Sequence, residues 1–371
     1  MDDRLDRARR IINEVDEEMA KLFVRRMEAA RLVAAYKQDH GMPILDAKRE
    51  EEVILRNSDR IEDEVLRGYY TNFLRSTMAV SRAYQRQLIH GMRIAYSGIE
   101  GAYAHTAAVR HFPDGQTVSC HSFREAYDKV VSGDCDAAVL PIENSSAGEV
   151  GQVTDLIFSG PLFINGMVDL HIAHALCAVP GAKLEGVKRV VSHDQALSQC
   201  RAFIKEHDLQ EVAYENTALA AKYVADKGDR QTAAICSVDS AKLYGLEVLT
   251  DGISDEAGNT TRFAVLCRGE NKSLSRQEGA HFVLMFTTRN EAGSLARALN
   301  IIGAHGFNMR TLRSRPMKEL LWQYYFYVEA EGDIHSHEGR QMLEELELCC
   351  DGIKPAGSFV CHGSQEAGTQ A

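Results

Sequence analysis

The 371-residue sequence predicts a multidomain chain in three parts. These are an all-α region over 1–90, a two-lobed α/β region over 92–268 and an α+β region of ferredoxin-like order over 280–362. Three observations predict it. Apolar residues of the first part recur every three to four positions, and those of the middle part fall in short runs alternating with helical stretches. The last part reads strand, helix, strand, strand, helix, strand. A chain this long also exceeds what one hydrophobic core usually serves.

In the first part Leu5, Ala8, Ile12, Val15, Met19, Leu22, Phe23, Ala30, Val33 and Ala34 mark one amphipathic helix over 3–38, which Gly41 and Pro43 end. At 1.5 Å per residue it is ~54 Å long, too long to bury its stripe against the two helices expected at about 47–57 and 61–89. An intertwined helical dimer resolves the mismatch. In the middle part strands are expected at 93–96, 137–140, 162–167, 187–191 and 233–236. A polar segment over 269–279 has linker composition. Beyond it, strands at 282–287, 308–313, 324–329 and near Phe359 alternate with helices at 293–305 and 338–348.

Charge narrows the function. Against 42 Lys+Arg stand 53 Asp+Glu, a net charge of -11 that repels a polyphosphate backbone, so nucleic acid is excluded as an expected partner. Nine cysteines without a Cys-x-x-Cys spacing read as reduced thiols. The chain starts without an apolar signal core, and no apolar run reaches the ~18 residues of a membrane span, so a cytoplasmic protein without membrane partners is expected.

Two polar runs carry the most information. Pro141-Ile142-Glu143-Asn144-Ser145-Ser146-Ala147-Gly148 follows one apolar strand-like segment, and Asn259-Thr260-Thr261-Arg262-Phe263 comes soon after another. In α/β proteins such positions hold ligand-binding loops, here for a small anion between two lobes. Ser146 and Gly148 are expected to open a helix, with Asn144 and Ser145 as donors to the anion. In the first part, Arg26 and Lys37 are eleven residues apart and share a helix face. Arg9, seventeen residues before Arg26, points about 100° away and serves a partner's site in an intertwined dimer. Asp46, Arg49 and Glu50 fall within one turn, and Ser81 and Gln85 share a face. The plainer alternative is a set of solvated faces, with Asp46 an N-cap and Glu50 paired to a neighbouring arginine. His171 with His174 and His335 with His337 lack a third ligand at a recognised spacing, so no metal is expected. No cofactor-binding motif has the required context.

Residues 3 to about 88 resemble the α-helical chorismate mutase family, whose charge pattern falls on Arg9, Arg26, Lys37, Asp46, Arg49, Glu50, Ser81 and Gln85. The resemblance implies that Arg9 and Arg26 clamp carboxylates, supported by Arg49 and Ser81. Lys37 and Gln85 would face the ether oxygen where charge grows, and Glu50 with the Asp46 region would receive the substrate hydroxyl.

The middle part resembles the prephenate dehydratases in both polar runs and in Ser192-His193-Asp194-Gln195-Ala196-Leu197, where the family usually has Pro at the position of Asp194. That resemblance implies Thr261 as the hydroxyl acting at the leaving hydroxide, with Asn144, Ser145, Ser192 and Gln199 as substrate contacts. Arg262 either fixes a carboxylate or forms a structural ion pair. Ala102 and Ala104 stand where the family often has hydroxyls, which leaves the backbone amides of Gly101 and Ala102 to compensate and opens arogenate as an alternative substrate.

The last part resembles the ACT family of amino-acid sensors, in Gly293-Ser294-Leu295 and in Ser314-Arg315-Pro316, with Arg313 where Glu is common. Phenylalanine as allosteric inhibitor follows from that resemblance. The plainer alternative is dimerisation alone, with Trp322, Tyr324, Tyr325 and Tyr327 as interface or core. The expected function is thus a bifunctional chorismate mutase and prephenate dehydratase of phenylalanine synthesis, without cofactor. The competing expectations are an arogenate-preferring dehydratase and a ligand-binding receptor without turnover.

Overall fold

A computed structural model describes residues 3–256, 258–317 and 323–361. Trp322 and position 362, the expected end of the last region, lie outside the described residues. The chain forms two compact units, Met1–Arg93 and Ile94–Ala371. No helix among the described residues is long and apolar enough to cross a membrane.

The first unit is three helices, α1 (Asp3–Asp39), α2 (Ala47–Ser58) and α3 (Glu64–His90). Gly41, at φ 61°, turns the chain out of α1 in a backbone region that glycine enters without strain. Asp46 caps α2 through the Arg49 N–H, and Asp63 caps α3 through the N–H groups of Val65 and Leu66. Ala30 and Ala34 are the buried apolar residues of α1, where it meets α3. Leu5, Ile12, Val15, Met19, Leu22 and Phe23 are between 42% and 62% exposed, an apolar stripe about five turns long with no cover in this chain.

The second unit opens with β1 (Arg93–Ser97), α4 (Tyr103–His111), β2 (Gln116–Cys120), α5 (Phe123–Val131), β3 (Ala137–Asn144), β4 (Gly148–Glu149), α6 (Gly151–Ser159) and β5 (Phe163–His171). The second lobe follows with β6 (Ala175–Ala178), β7 (Arg189–Ser192), α7 (Asp194–Gln199), α8 (Arg201–Glu206), β8 (Gln210–Ala213), α9 (Thr217–Lys227), β9 (Thr232–Cys236), α10 (Val238–Leu243) and β10 (Glu247–Thr250). The chain then returns through β11 (Thr260–Cys267) to the first lobe, antiparallel to both β3 and β5. The second lobe's sheet runs β10-β6-β9-β7-β8. The two lobes are therefore tied by two crossings, after β5 and before β11; the Asn259 run sits at the second, and the Asn144 run at the end of β3 lies beside it.

The remainder is β12 (Ala280–Thr288), α11 (Ser294–Ala304), β13 (Met309–Pro316), β14 (Tyr324–Glu331), α12 (His337–Glu347) and β15 (Cys350–Val360). Its strands lie antiparallel in the order β13-β14-β12-β15, the ferredoxin-like order. They do not form a separate sheet. β15 meets β5 at Gly357 and Ile164, so one ten-stranded sheet runs through both regions. Gly357 permits the join: its φ is 127°, and a Cβ there would strike the Ile164 carbonyl. Tyr325, Tyr327 and Phe359 share one apolar core with Leu140, Ile157 and Leu162. Tyr325 and Tyr327 are thus core, while Tyr324 is exposed.

Two local expectations are corrected. Residues 141–144 are not a loop, because Pro141, Glu143 and Asn144 stand in strand register with Phe263, Arg262 and Thr261 of β11, and the Thr260-Thr261-Arg262-Phe263 run is likewise strand. No helix opens at Ser146 or Gly148: 145–147 form a tight turn into β4, and α6 starts at Gly151.

Candidate active sites

In the helical unit one cavity of about 190 Å³ gathers seven of the eight expected residues: Arg26, Lys37, Asp46, Arg49, Glu50, Ser81 and Gln85. The helices explain the convergence. Arg26 and Lys37 share a face of α1, α2 delivers its first turn, and Ser81 and Gln85 are one turn apart on α3. The Arg26 guanidinium donates to the Ser81 hydroxyl and, at 3.4 Å, to the Thr77 carbonyl. Burial draws the Arg26 pKa down, and Glu50 opposes that. Lys37 donates to the Ile44 carbonyl in the chain reversal between α1 and α2. Glu50 pairs with Arg82, a cavity residue that sequence reasoning anticipated only as some neighbouring arginine. Asp46 is both N-cap and cavity lining. Gln85 is buried, and its Oε1 has no hydrogen-bond partner, a polar atom that awaits a ligand or water. Arg9 stands apart on the exposed end of α1, 3.9 Å from Asp6.

In the second unit the polar runs meet across strands. Thr261 lies directly opposite Asn144 in the β11–β3 pair. Asn144 Nδ2 donates to Thr261 Oγ1 at 2.9 Å and to Asn259 Oδ1 at 2.7 Å. Its Oδ1 accepts from the N–H groups of Ser146 and Ala147 at 3.1 and 2.8 Å, which fixes the amide orientation. Because Thr261 Oγ1 accepts from Asn144, its own hydrogen is left to point elsewhere. Asn259 Nδ2 donates to Gln199 Oε1 at 3.1 Å, and the same oxygen meets His174 Nε2 at 3.0 Å. Burial lowers the His174 pKa, so the ring is neutral with its proton on Nε2. Tyr103, whose hydroxyl burial pushes well above its usual range, backs the other ring nitrogen at 3.2 Å. Beside this chain lies a cavity of about 300 Å³ lined by Ser146, Ala147, Gln199, Asp255, Glu256 and Asn259, among others.

Sequence reasoning missed Asn259, although it stands in the quoted run, and Tyr103. His174 it read as core or surface. No spacing pointed to either Tyr103 or His174.

Several expected contacts are placed elsewhere. Ser145 ties its turn to β11, donating to the Gly258 carbonyl and accepting from the Thr260 N–H. Ser192 is fully buried and donates to the Ile235 carbonyl at 2.6 Å, so it fastens β7 to β9. Arg262 projects from the face of β11 opposite Thr261, as neighbouring strand residues must. It holds both Asp169 oxygens at 2.8 and 2.9 Å and Glu329 at 3.3 Å, the structural ion pair of the two readings. The Gly101 N–H donates to His105 and the Ala102 N–H to the Ile99 carbonyl, so neither backbone donor compensates for Ala102 and Ala104.

In the C-terminal region Gly293 precedes α11 with φ 84°, and Ser294 and Leu295 are half-buried in its first turn. Ser314, Arg315 and Pro316 are strand residues of β13. Arg315 clamps both Asp155 oxygens at 3.0 and 3.2 Å. Arg313 is paired to Glu143.

Residues 8–86 match the family model for chorismate mutase type II, and residues 94–271 match that for prephenate dehydratase. The chain is 30% identical to a bifunctional chorismate mutase/prephenate dehydratase of Neisseria gonorrhoeae, over 97% of this chain and 98% of that one. It is 32% identical to arogenate dehydratase/prephenate dehydratase 1, chloroplastic, of Arabidopsis thaliana, over 72% of each. Among solved structures, a prephenate dehydratase of Arthrobacter aurescens in complex with L-Phe matches with a TM-score of 0.67 and 28% identity, over 74% of this chain and 92% of that one.

Proposed function

The chain belongs to the bifunctional chorismate mutase/prephenate dehydratase family, and from that premise we propose how its residues divide the work. It is an enzyme of phenylalanine biosynthesis, an isomerase that turns chorismate into prephenate and a lyase that turns prephenate into phenylpyruvate.

The mutase is assigned to 1–90, the dehydratase to 92–268 and an ACT-type sensor to 280–362. In the mutase, Arg26, held by Ser81, takes a substrate carboxylate while Lys37 and Gln85 face the ether oxygen. A pericyclic rearrangement needs no nucleophile, only the folded conformer held and the growing charge met by donors. The Lys37 ammonium and the Gln85 amide N–H groups meet that need, and Arg49 adds positive potential. Arg9 completes the partner's site in an intertwined homodimer that buries the stripe from Leu5 to Phe23.

In the dehydratase the ring carboxylate leaves as CO₂, its bonding electrons enter the ring, and the C–O bond to the ring hydroxyl breaks. The departing hydroxide takes a proton. The observation that carries the assignment is the Asn144–Thr261 bond, which turns the threonine's own hydrogen outward as a donor to that oxygen. With Arg262 engaged behind the sheet, and both Asn144 amide hydrogens given to Asn259 and Thr261, substrate anions are met by the remaining amide hydrogens of Asn259 and Gln199. Phenylalanine binding is supported by the L-Phe complex of the Arthrobacter aurescens protein, and Gly293 and Leu295 at the start of α11 provide N–H groups for a carboxylate, while Ser294 gives its own to the Glu291 carbonyl. A cytoplasmic location accords with the biosynthetic role.

The test supplies chorismate alone and follows prephenate and phenylpyruvate by mass spectrometry, with and without phenylalanine. Phenylpyruvate formation suppressed by phenylalanine is the expected result. Prephenate that accumulates would transfer the second activity to arogenate, and no conversion would support the receptor reading.

A further inference from the structure

The turn that orients Asn144 is closed by a pair of strands whose facing residues repel each other. In the β3–β4 pairing Glu143 lies directly opposite Glu149, two carboxylates on one face of a two-residue ladder. Like charges in cross-strand register destabilise a hairpin, and beyond this two-residue ladder the turn is held by Ser145, which donates to the Gly258 carbonyl and accepts from the Thr260 N–H. Between these strands run residues 145–147, whose Ser146 and Ala147 N–H groups fix the Asn144 amide. Adjacent strand residues face opposite sides, so Asn144 and Thr261 share the substrate side while Glu143 and Arg262 share the other.

The neutralising charges on that other side come from β13. Arg313 Nη2 donates to Glu143, and Arg315 Nη1 stands 3.7 Å from Glu149 while its other nitrogens hold Asp155. The Arg313 side chain is 15% exposed and its guanidinium lies 5.3 Å over the Tyr327 ring, which fixes its direction. A buried guanidinium held on one side by an aromatic face exerts its charge on the one carboxylate within reach, Glu143.

We propose that Arg313 is a positioning residue for the dehydratase, which closes the 143–149 hairpin from behind the sheet and so sets Asn144 against Thr261. The C-terminal region is then a structural part of the dehydratase site. This rests on the reading of Asn144 and Thr261 as the substrate network. The chemistry requires Arg313 only to hold charge at Glu143, never to touch substrate.

The experiment compares prephenate dehydration in the full-length Arg313→Gln, Arg313→Lys and Glu143→Gln/Arg313→Gln variants, with chorismate mutase rate and thermal unfolding recorded on the same samples. Arg313→Gln removes the cation at Glu143 and leaves that carboxylate facing Glu149, whose own cation is Arg315. Its kcat is expected to fall about tenfold with KM within about twofold, because geometry rather than affinity is lost. Arg313→Lys is expected to keep most of the rate, and the double variant, with no like-charge pair left across the hairpin, to recover to within about threefold of the parent. Unchanged kcat in Arg313→Gln overturns the proposal, as does a double variant no better than the single one. Thr261→Ala in the same assay separates two failures. Full activity there sinks the substrate-network reading, whereas activity lost there but kept in Arg313→Gln sinks the positioning role alone.

Discussion

The helical unit and the α/β unit hold anionic substrates of similar charge, yet they collect opposite kinds of side chain. The helical cavity assembles Arg26, Lys37 and Arg49 around a buried amide with a free oxygen. In the α/β unit every group of the Asn144, Thr261, Asn259 and Gln199 chain is neutral, and Arg262, the arginine of the Thr261 run, is engaged by Asp169 and Glu329 on the far face. The difference follows from what each reaction asks. A pericyclic rearrangement succeeds when a floppy dianion is held in one conformer, so strong cations are concentrated on rigid helices. Dehydration with loss of CO₂ is driven by aromatisation, and a pocket of clamped cations would oppose release of the very carboxylate that must leave.

Replacing one group at each site breaks the comparison most severely. Lys37→Ala is expected to lower mutase turnover by about 10²- to 10³-fold, the usual cost of one donor at developing charge, with dehydration of supplied prephenate unchanged. Thr261→Ala is expected to lower dehydration by about 10²- to 10³-fold and to spare the mutase. The two rates are measured separately on one preparation of each variant. Equal loss of both activities in either variant would contradict two independent sites.

Arg9 sharpens the contrast, because the cavity of the helical unit gathers seven of its eight expected residues and leaves Arg9 apart on the same chain, the pattern of a site shared across a dimer. Arg9→Ala and Lys37→Ala homodimers are each expected to be nearly inactive as mutases. Mixing them under conditions of chain exchange is expected to restore about a quarter of the parental activity. Half of the dimers formed at random are mixed, and one of the two sites in each is intact, which is the symmetry argument for a shared site. No recovery in verified mixed dimers would place Arg9 outside the site.

What was legible in the sequence followed the same division. Helical sites obey a local rule, 100° per residue, so the angle between Arg26 and Lys37, and the exclusion of Arg9 from their pocket, are computable from numbering alone. Strand sites depend on which strands pair, and nothing local says that Asn144 lies beside Thr261, over a hundred positions later. The runs themselves were visible as dense polar residues beside apolar segments. Their strand character was not, because Pro141 and Asn144 are turn-forming types whose local preference is overridden by pairing with β11. His174 and Tyr103 were illegible because a buried hydrogen-bonded histidine has the sequence signature of any core residue. The edge-to-edge join of β15 to β5 rests on one glycine contact, for which no pattern exists.

The smallest effect belongs to a cation that the α/β unit uses as structure rather than chemistry. Lys354 of β15 reaches the carbonyls of Ile157, Phe158 and Gly160 at the C-terminal end of α6, where a positive charge answers the helix dipole. Burial pulls its pKa down to about 8 from the ordinary 10.5. Below pH 8 the group is charged in both folded and unfolded chains, so the cost of burying the charge is carried in full. Between about 8 and 10.5 the unfolded chain still binds a proton that the folded chain has released, so this lysine's contribution to stability rises with pH across that window. The side chain is only half-buried, and solvent screening limits the rise to about 1 kcal/mol. Thermal unfolding of the parent and of Lys354→Met at pH 7.5 and pH 10 measures it, with the difference between the two proteins as the readout. The parent is expected to gain on the variant at the higher pH. A gap that narrows or stays constant would mean that Lys354 keeps its proton, and that its charge is as fully answered by the α6 carbonyls as the charge of Arg262 is by Asp169.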